Sequence, residues 1–368
     1  MRLPPPWLRR LVLAPVVILL GLLLLVTAPL WLLVALALTS LVPGRFRLPR
    51  VLWLVTVYLL WDSVLLVVLF ALWVGSGFGL TLRSPGFVRA HYRVGGWALR
   101  VLFWIFRAVL RLEIVVTGSD DRDPDAARAA FDALLAAGEP LVVASRHGGP
   151  GDSFILIHTL LNRVHREPRI VLKATLQWDP GIDVLLNRIP TRFITPTGFG
   201  RRPAGGGSVV EHSIADLAEG LDGDDALVIF PEGGQVSARR RQSRIERYRA
   251  AGREDLAARA ANLRHVMPPQ PGGVHAALAA ASDADMVFIG HTGLDRLLTL
   301  GDIWRELPMD KRITMRAWRV PHAEIPTDRD AQAEWLFAWF ERIEAWIDTR
   351  AEDPATWPGS TPPGTSGV

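Results

Sequence analysis

The chain has 368 residues and no cysteine. That absence excludes a disulfide framework, a thiolate nucleophile, an iron–sulfur cluster and any zinc site built on sulfur ligands. Chemistry must then rest on His, Ser, carboxylates or Arg. Acid is almost missing from the N-terminal part, where residues 1–110 hold eleven Arg against a single carboxylate, Asp62, a net charge of +10. The remainder holds 30 basic and 36 acidic residues, net −6, so the overall +4 conceals two differently built segments. With 49% hydrophobic and 21% charged residues, the composition excludes disorder over most of the length and is too apolar for an evenly globular chain.

Two long apolar runs account for the excess. Leu11 to Leu38 is almost unbroken over 28 residues, and Val51 to Val74 runs for 24, interrupted by Asp62 and Ser63. Each exceeds the ~18 residues that mark a membrane helix. A straight helix of the first run would be roughly 42 Å long against a hydrocarbon core of ~30 Å, so a tilt or a bend near Pro15, Gly21 or Pro29 is expected. A cleaved signal peptide fits poorly, because Arg9 and Arg10 precede far more apolar residues than such a peptide carries. The pattern predicts a membrane hairpin over residues 1–80. The outer flanks carry Arg2, Arg9, Arg10, Arg83, Arg89 and Arg93, whereas Leu41–Arg50 carries three Arg, which places both flanks and the following domain in the cytoplasm. Over residues 81–112, Arg93, Arg100, Arg107 and Arg111 share a helical face opposite Leu102, Phe103 and Phe106. This segment reads as a basic amphipathic helix, lying in the headgroup plane or capping the soluble core. Asp62, a carboxylate within an apolar run, is either hydrogen-bonded inside the hairpin or involved in substrate access.

From Leu112 the pattern turns to short β-branched runs separated by helices. Strands are predicted at Glu113–Val116, Leu141–Ala144, Arg169–Leu172, Arg192–Thr195, Ala226–Phe230, Met286–Gly290 and Thr314–Val320. Ser208 and Glu211 form a capping box for a helix with Val209, Val210, Ile214, Leu217 and Leu221 as its buried stripe. A last helix begins near Thr327 with Trp335, Leu336, Trp339, Phe340, Ile343, Trp346 and Ile347 on one face. The expected fold over residues 113–350 is α/β, a mixed, substantially parallel sheet flanked by helices, preceded by the N-terminal transmembrane helical hairpin. Residues 351–368, rich in Pro, Gly, Ser and Thr, read as a disordered tail.

Two strand-to-turn junctions carry the chemistry. In Leu141-Val-Val-Ala-Ser-Arg-His-Gly-Gly-Pro-Gly-Asp152 an apolar strand enters a Gly/Pro turn bearing His147, with Asp152 at the start of the next helix. A neutral imidazole suits a general base, and Asp152 is placed to accept its other ring N–H. The same residues also fit a plainer role, His147 decorating a turn and Asp152 capping a helix. In Ala226-Leu-Val-Ile-Phe-Pro-Glu-Gly-Gly234 a buried strand again ends in Pro, a carboxylate and two glycines. Loops at the carboxyl ends of neighbouring parallel strands converge on one crevice, which brings Glu232 to His147.

Together these junctions resemble the glycerolipid acyltransferase family, typified by 1-acylglycerol-3-phosphate (lysophosphatidic acid) acyltransferases. His147 and Asp152 match its His-X4-Asp block, and Phe230, Pro231, Glu232 and Gly233 its Phe-Pro-Glu-Gly block. A lesser likeness runs through Val171-Leu-Lys173-Ala and Gly272-Gly-Val-His-Ala-Ala277, and the whole covers roughly residues 95–325. The resemblance implies acyl transfer from a thioester of coenzyme A or acyl carrier protein to a lipid hydroxyl. His147 would be the base, Asp152 its orienting partner and Glu232 a further site residue, with Gly148, Gly149, Gly233, Gly234 and Lys173 around the substrates. It implies membrane lipids as partners and no metal, nucleic acid or cofactor beyond the donor. The family's Arg after a Phe-Ile pair is missing after Phe193-Ile194, and Arg201 and Arg202 are the expected substitutes. Gly234 and Gln235 replace the usual Thr and Arg after Glu-Gly, which leaves open another lysolipid or a glycolipid as acceptor.

Between Ser237 and His265 stand nine Arg against three acids, and Arg239 and Arg240 are expected to bind substrate phosphates or anionic headgroups, the alternative being a solvated helical face. A membrane-anchored protein that binds anionic lipid without catalysis would explain this charge but not the paired turns. An α/β-hydrolase would need a Gly-X-Ser-X-Gly elbow, which the sequence lacks. Dinucleotide binding fails because Pro203 stands where a third glycine should follow Gly198-Phe199-Gly200.

Overall fold

The computed structural model describes residues 3–41, 46–118, 123–149, 151–194, 208–293, 304, 307 and 312–351. Seven strands form one sheet: β1 Glu113–Val116, β2 Leu141–Ser145, β3 Glu167–Lys173, β4 Thr191–Ile194, β5 Asp225–Ile229, β6 Asp285–Thr292 and β7 Arg312–Val320. Their spatial order is β1-β7-β6-β2-β5-β3-β4. All neighbours pair in parallel except β6 and β7, so β1 and β7 run against the other five. Every predicted strand exists, within two residues at each end.

Strands buried on both faces should send alternate residues into two cores. Val142, Ala144, Leu227, Ile229, Met286 and Phe288 enter the core under the helices Val209–Ala218, Pro271–Ala280 and Arg329–Ala351. Leu141, Val143, Ala226, Val228, Val287 and Ile289 enter the opposite one, beneath Pro85–Leu110, Pro124–Leu135 and Asp152–Asn162. The Ser208/Glu211 capping box is formed, but Val209 is 41% exposed and lies outside the buried stripe, which consists of Ile214 and Leu217 flanked by half-buried Val210 and Leu221. Trp335 and Trp339 are half-buried beside Leu336, Phe340 and Ile343 of the last helix. The tail beyond 351 lies outside the described residues.

The first apolar run is not one helix. Pro6–Val26 ends at Thr27, and a separate helix Ala28–Ala37 begins beside Pro29, where the ring disrupts the hydrogen-bond ladder. The second run is the helix Arg47–Gly75. Both Pro6–Val26 and Arg47–Gly75 are long and apolar enough to cross a membrane, and only 17% and 33% of their apolar windows are buried by the rest of the chain. The basic segment begins earlier than its charge pattern suggests, as the helix Pro85–Leu110. Its apolar face is covered by protein: Leu99 and Phe103 join the sheet core, while Ala98 and Leu102 meet Trp61, Leu65 and Leu69 of Arg47–Gly75. The outward face carries Arg93, Trp97, Arg100, Trp104 and Arg107.

Among the contacts that tie the N-terminal helices to the domain, including Tyr58 to Asp179 and Arg188 to the Leu69 carbonyl, two involve buried carboxylates. Arg9, 5% exposed, pairs with buried Asp183 at 3.0 Å, and Gln177 and Asn187 donate to the same carboxylate. Asp62 is buried against Gly181, where an added Cβ would lie 1.9 Å from its Oδ1, so only glycine permits the approach. Asp62 thus meets the domain rather than a partner inside the hairpin, and neither of its oxygens has a hydrogen-bond partner among the described residues.

At the sheet's other rim, fully buried Arg166 donates to the carbonyls of Leu135, Ala136, Glu139 and Asp225. Burial lowers its guanidinium to about 10, which leaves it charged at neutral pH. Arg166→Met would strand these carbonyls, and a loss of about 3–5 kcal/mol is expected in denaturant unfolding of the solubilised protein.

Candidate active site

Sheet register explains why the two sequence motifs meet. Ala144 of β2 pairs with Ile229 of β5, and His147 and Glu232 each lie three residues beyond that pair. On the other flank Ser145 pairs with Ile289 of β6, which puts His291 at the same rim. Three adjacent carboxyl ends therefore converge on one place.

His147 Nδ1 lies 2.7 Å from Asp152 Oδ2. Asp152 is the first residue of its helix, and the capping position belongs to Gly151, so its side chain is turned to the imidazole instead of capping. It also accepts from the Gly149 N–H at 3.3 Å and the Ser153 N–H at 2.6 Å. Burial pushes the Asp152 carboxyl up, but the hydrogen bond from His147, the nearby His291 and the Gly149 N–H outweigh it and hold it below the usual carboxylate range. An ionised Asp152 requires Nδ1 to carry the proton, which leaves Nε2 with a lone pair. Nε2 has no partner among the described residues, and the ring is 15% exposed beside Phe230, 5.0 Å away between centroids.

Glu232 reaches the same loop from β5. Its Oε1 accepts from the His147 N–H at 3.2 Å, while Oε2 is buried with no hydrogen-bond partner among the described residues. Burial pushes this carboxyl up to about 8, against the pull of Arg146 and of the His147 and Met267 N–H groups. Glu232 does not line the cavity described below, and its observed contact is with the backbone that carries His147. The turn behind it needs glycine: φ is +67° at Gly233 and +150° at Gly234, and added Cβ atoms would fall 2.2 Å from Gln270 Nε2 and 2.5 Å from an Arg240 guanidinium nitrogen.

His147 and Asp152 open onto a cavity of about 770 Å³. Its polar mouth includes Lys173, Gly149, Gly233, Gly234, Gln235 and Arg247, and its far end is apolar, reaching Trp61 and Leu65 of Arg47–Gly75 and Leu99 of Pro85–Leu110. The weaker likenesses come to the same place, since Val171 to Lys173 and Gly272 to Val274 are part of the wall. Gly148 is not, and its Cα faces the Arg146 guanidinium and His291 instead. The Gly149 and Gly233 N–H groups are engaged by Asp152 and by the Phe230 carbonyl.

The basic stretch divides in two. Arg241 and Arg244 donate to backbone carbonyls of Leu263, Pro268 and Glu232, and Arg253 and Arg259 pair with Glu334 and Glu341 of the last helix. These four hold the fold. Arg239 is exposed, Arg240 lies over Gly234 with a bond to the Gln235 carbonyl, and Arg247 lines the cavity. Arg201 and Arg202 lie outside the described residues.

Sequence reasoning missed three residues. Arg146, 1% exposed, donates to the carbonyls of His265 and His291. Glu344 of the last helix accepts from the N–H groups of Arg264, His265 and Val266, which fixes the carbonyl that Arg146 grips. His291 Nε2 lies 3.1 Å from the Arg146 carbonyl. Arg146 was adjacent to the motif, yet a charged residue in a turn reads as solvated; only the burial reveals its work.

An imidazole oriented by a buried carboxylate, beside a largely apolar cavity on a mostly parallel α/β sheet, is an arrangement able to take a proton from a group held in that cavity. The family model described as Acyltransferase matches residues 114–291, and the chain carries this acyltransferase domain of the glycerolipid acyltransferase family. No curated protein matches the chain.

The raised Glu232 gives a pH test. Its acid form is favoured by folding, so the contribution is fully present below the ordinary value of 4.5 and is lost as pH rises to about 8. Thermal unfolding across pH 4–9 should show a decline over that window in the wild-type protein and a flatter one in Glu232→Gln.

Proposed function

We propose that the protein is a membrane-bound acyltransferase that moves a fatty acyl group from a coenzyme A or acyl carrier protein thioester to a hydroxyl of a glycerolipid such as lysophosphatidic acid, in phospholipid synthesis. The observation that carries this reading is the 2.7 Å His147–Asp152 pair at the mouth of the apolar cavity. His147 Nε2 takes the proton of the acceptor hydroxyl as its oxygen attacks the thioester carbonyl. Asp152 stabilises the imidazolium that forms. Collapse of the tetrahedral intermediate breaks the C–S bond, and the thiol leaves with the proton from Nε2. The acyl chain occupies the apolar end of the cavity, and Lys173, Arg240 and Arg247 face the anionic parts of donor or acceptor.

The apolar surface of Pro6–Val26 and Arg47–Gly75 supports an integral membrane anchor, and the arginine asymmetry supports a cytoplasmic domain. Arg9 bound to Asp183 puts the start of the first helix beside the domain, as a hairpin with both outer ends on one side requires. A different lysolipid or a glycolipid acceptor is favoured by one feature: Gln235 lines the cavity where related proteins place an Arg.

Purified protein in vesicles, offered labelled acyl thioester and lysophosphatidic acid, should form the diacyl product. His147→Ala should reduce the rate by about 10²- to 10⁴-fold while remaining folded and membrane-bound; transfer at the wild-type rate would rule out the mechanism. Arg240→Gln with Arg247→Gln should raise the apparent KM for an anionic substrate, and an unchanged KM would return these residues to a solvated face.

A further inference from the structure

The peptide unit that joins Arg146 to His147 is gripped at both ends. Its N–H donates to Glu232 Oε1 at 3.2 Å, and its carbonyl lies 3.1 Å from His291 Nε2 and 3.1 Å from the Ser145 hydroxyl. The grip is reciprocal, because the Arg146 guanidinium donates to the backbone carbonyl of His291. His291 is 4% exposed, and its Nε2 is also 3.8 Å from Asp152 Oδ2, the oxygen that His147 Nδ1 contacts. That distance is too long for a hydrogen bond but close enough for a polarised N–H to favour the carboxylate. Strand alternation explains the placement. Gly290 faces Trp346 and Ile343 on one side of β6, and His291 therefore emerges on the other, with Val287 and Ile289.

We propose that His291 is a positioning residue for the His147–Asp152 pair: its Nε2–H holds the peptide plane from which His147 springs and braces the neighbouring Asp152 oxygen. The inference deepens the acyltransferase reading and rests on it for its kinetic consequences. A rotation of that peptide would swing the imidazole about its own Cα, and a misplacement of about 1 Å at a reacting nitrogen costs up to roughly 10²-fold in rate. Glu232 fixes only the N–H end, and the carbonyl end is held by His291 together with the hydroxyl of Ser145, the residue just before Arg146, so His291 is the hold that comes from a different strand. Because His291 is not among the residues that line the cavity, it acts on rate through His147 and not by touching substrate.

Three replacements separate this role from simple packing. His291→Gln keeps an N–H donor near the Nε2 position, His291→Asn keeps polarity but falls short of it, and His291→Phe keeps bulk without a donor. Ring-nitrogen NMR of ¹⁵N-histidine-labelled full-length protein in nanodiscs reads the His147 Nδ1–H directly, and steady-state transfer from an acyl-coenzyme A to lysophosphatidic acid supplies kcat and KM. We expect the wild type and Gln variant to show a single Nδ1–H form of His147, and the Asn and Phe variants to lose or broaden it. The Asn and Phe variants should fall about ten- to a hundredfold in kcat at unchanged KM, with the Gln variant within about threefold of wild type. An unperturbed His147 signal in His291→Asn overturns the positioning role whatever the kinetics. Should wild-type protein give the expected NMR pattern and yet transfer no acyl group, the acyltransferase reading falls and the positioning role stands.

Discussion

A carboxylate that is almost wholly buried must have its charge answered by donors, and in this protein the requirement falls on Asp152. Its two oxygens draw in the His147 ring, the Gly149 N–H and the Ser153 N–H, groups drawn from both sides of one turn. That demand shapes the loop. Glycines on either side of the turn have little conformational preference of their own, and the donors gathered round the charge give the imidazole a fixed seat. The tautomer follows from the same fact, because an ionised partner on Nδ1 leaves only Nε2 to act as base.

Other buried charges extend the seat outward. Arg146 binds two carbonyls behind His147, and Glu344 binds three consecutive N–H groups that present one of those carbonyls. Each has its charge spread over backbone dipoles, which helps to make a buried ion tolerable. One consequence concerns domain limits. The segment that matches the family ends at residue 291, but the support of its histidine runs on to residue 344, so the last helix belongs to the site's architecture and not merely to the core.

How much of this was legible in the sequence depends on whether a residue's role is local. The seven strands were, because apolar β-branched runs bounded by turns encode themselves, and so were His147 and Asp152, which are five residues apart and share one turn. The meeting of His147 with Glu232 needed only the rule that adjacent parallel strands end together. Arg146, His291 and Glu344 were not legible, since nothing in their neighbours distinguishes a charge gripping distant backbone from one facing water. The same blindness operated in reverse in the run from Ser237 to His265: a uniform series of arginines divided into side chains that clamp carbonyls or the last helix, and side chains near the cavity. Nor could the charged stripe of Pro85–Leu110 decide between a headgroup-plane helix and one capping the core; its apolar face is covered by Arg47–Gly75 and the sheet core.

That covering bears on how anchor and site work together. The cavity begins at His147 on the rim of the sheet and ends against Trp61 and Leu65, which belong to a helix whose outer surface is largely bare of protein. An apolar chain lying in the cavity is thus separated from the surroundings of that helix by the thickness of one helix. If the helices served only as a tether, a flexible linker would suffice and Arg9 would have no reason to be buried against Asp183. A buried ion pair fixes orientation at an energetic cost, and the close approach of Asp62 to Gly181 fixes it again at a second point. Both attachments fall on one short helix, Pro180–Leu186, whose Ile182, Leu185 and Leu186 line the cavity together with Trp61 and Leu65, so the helix Arg47–Gly75 is part of the cavity wall and not only a tether.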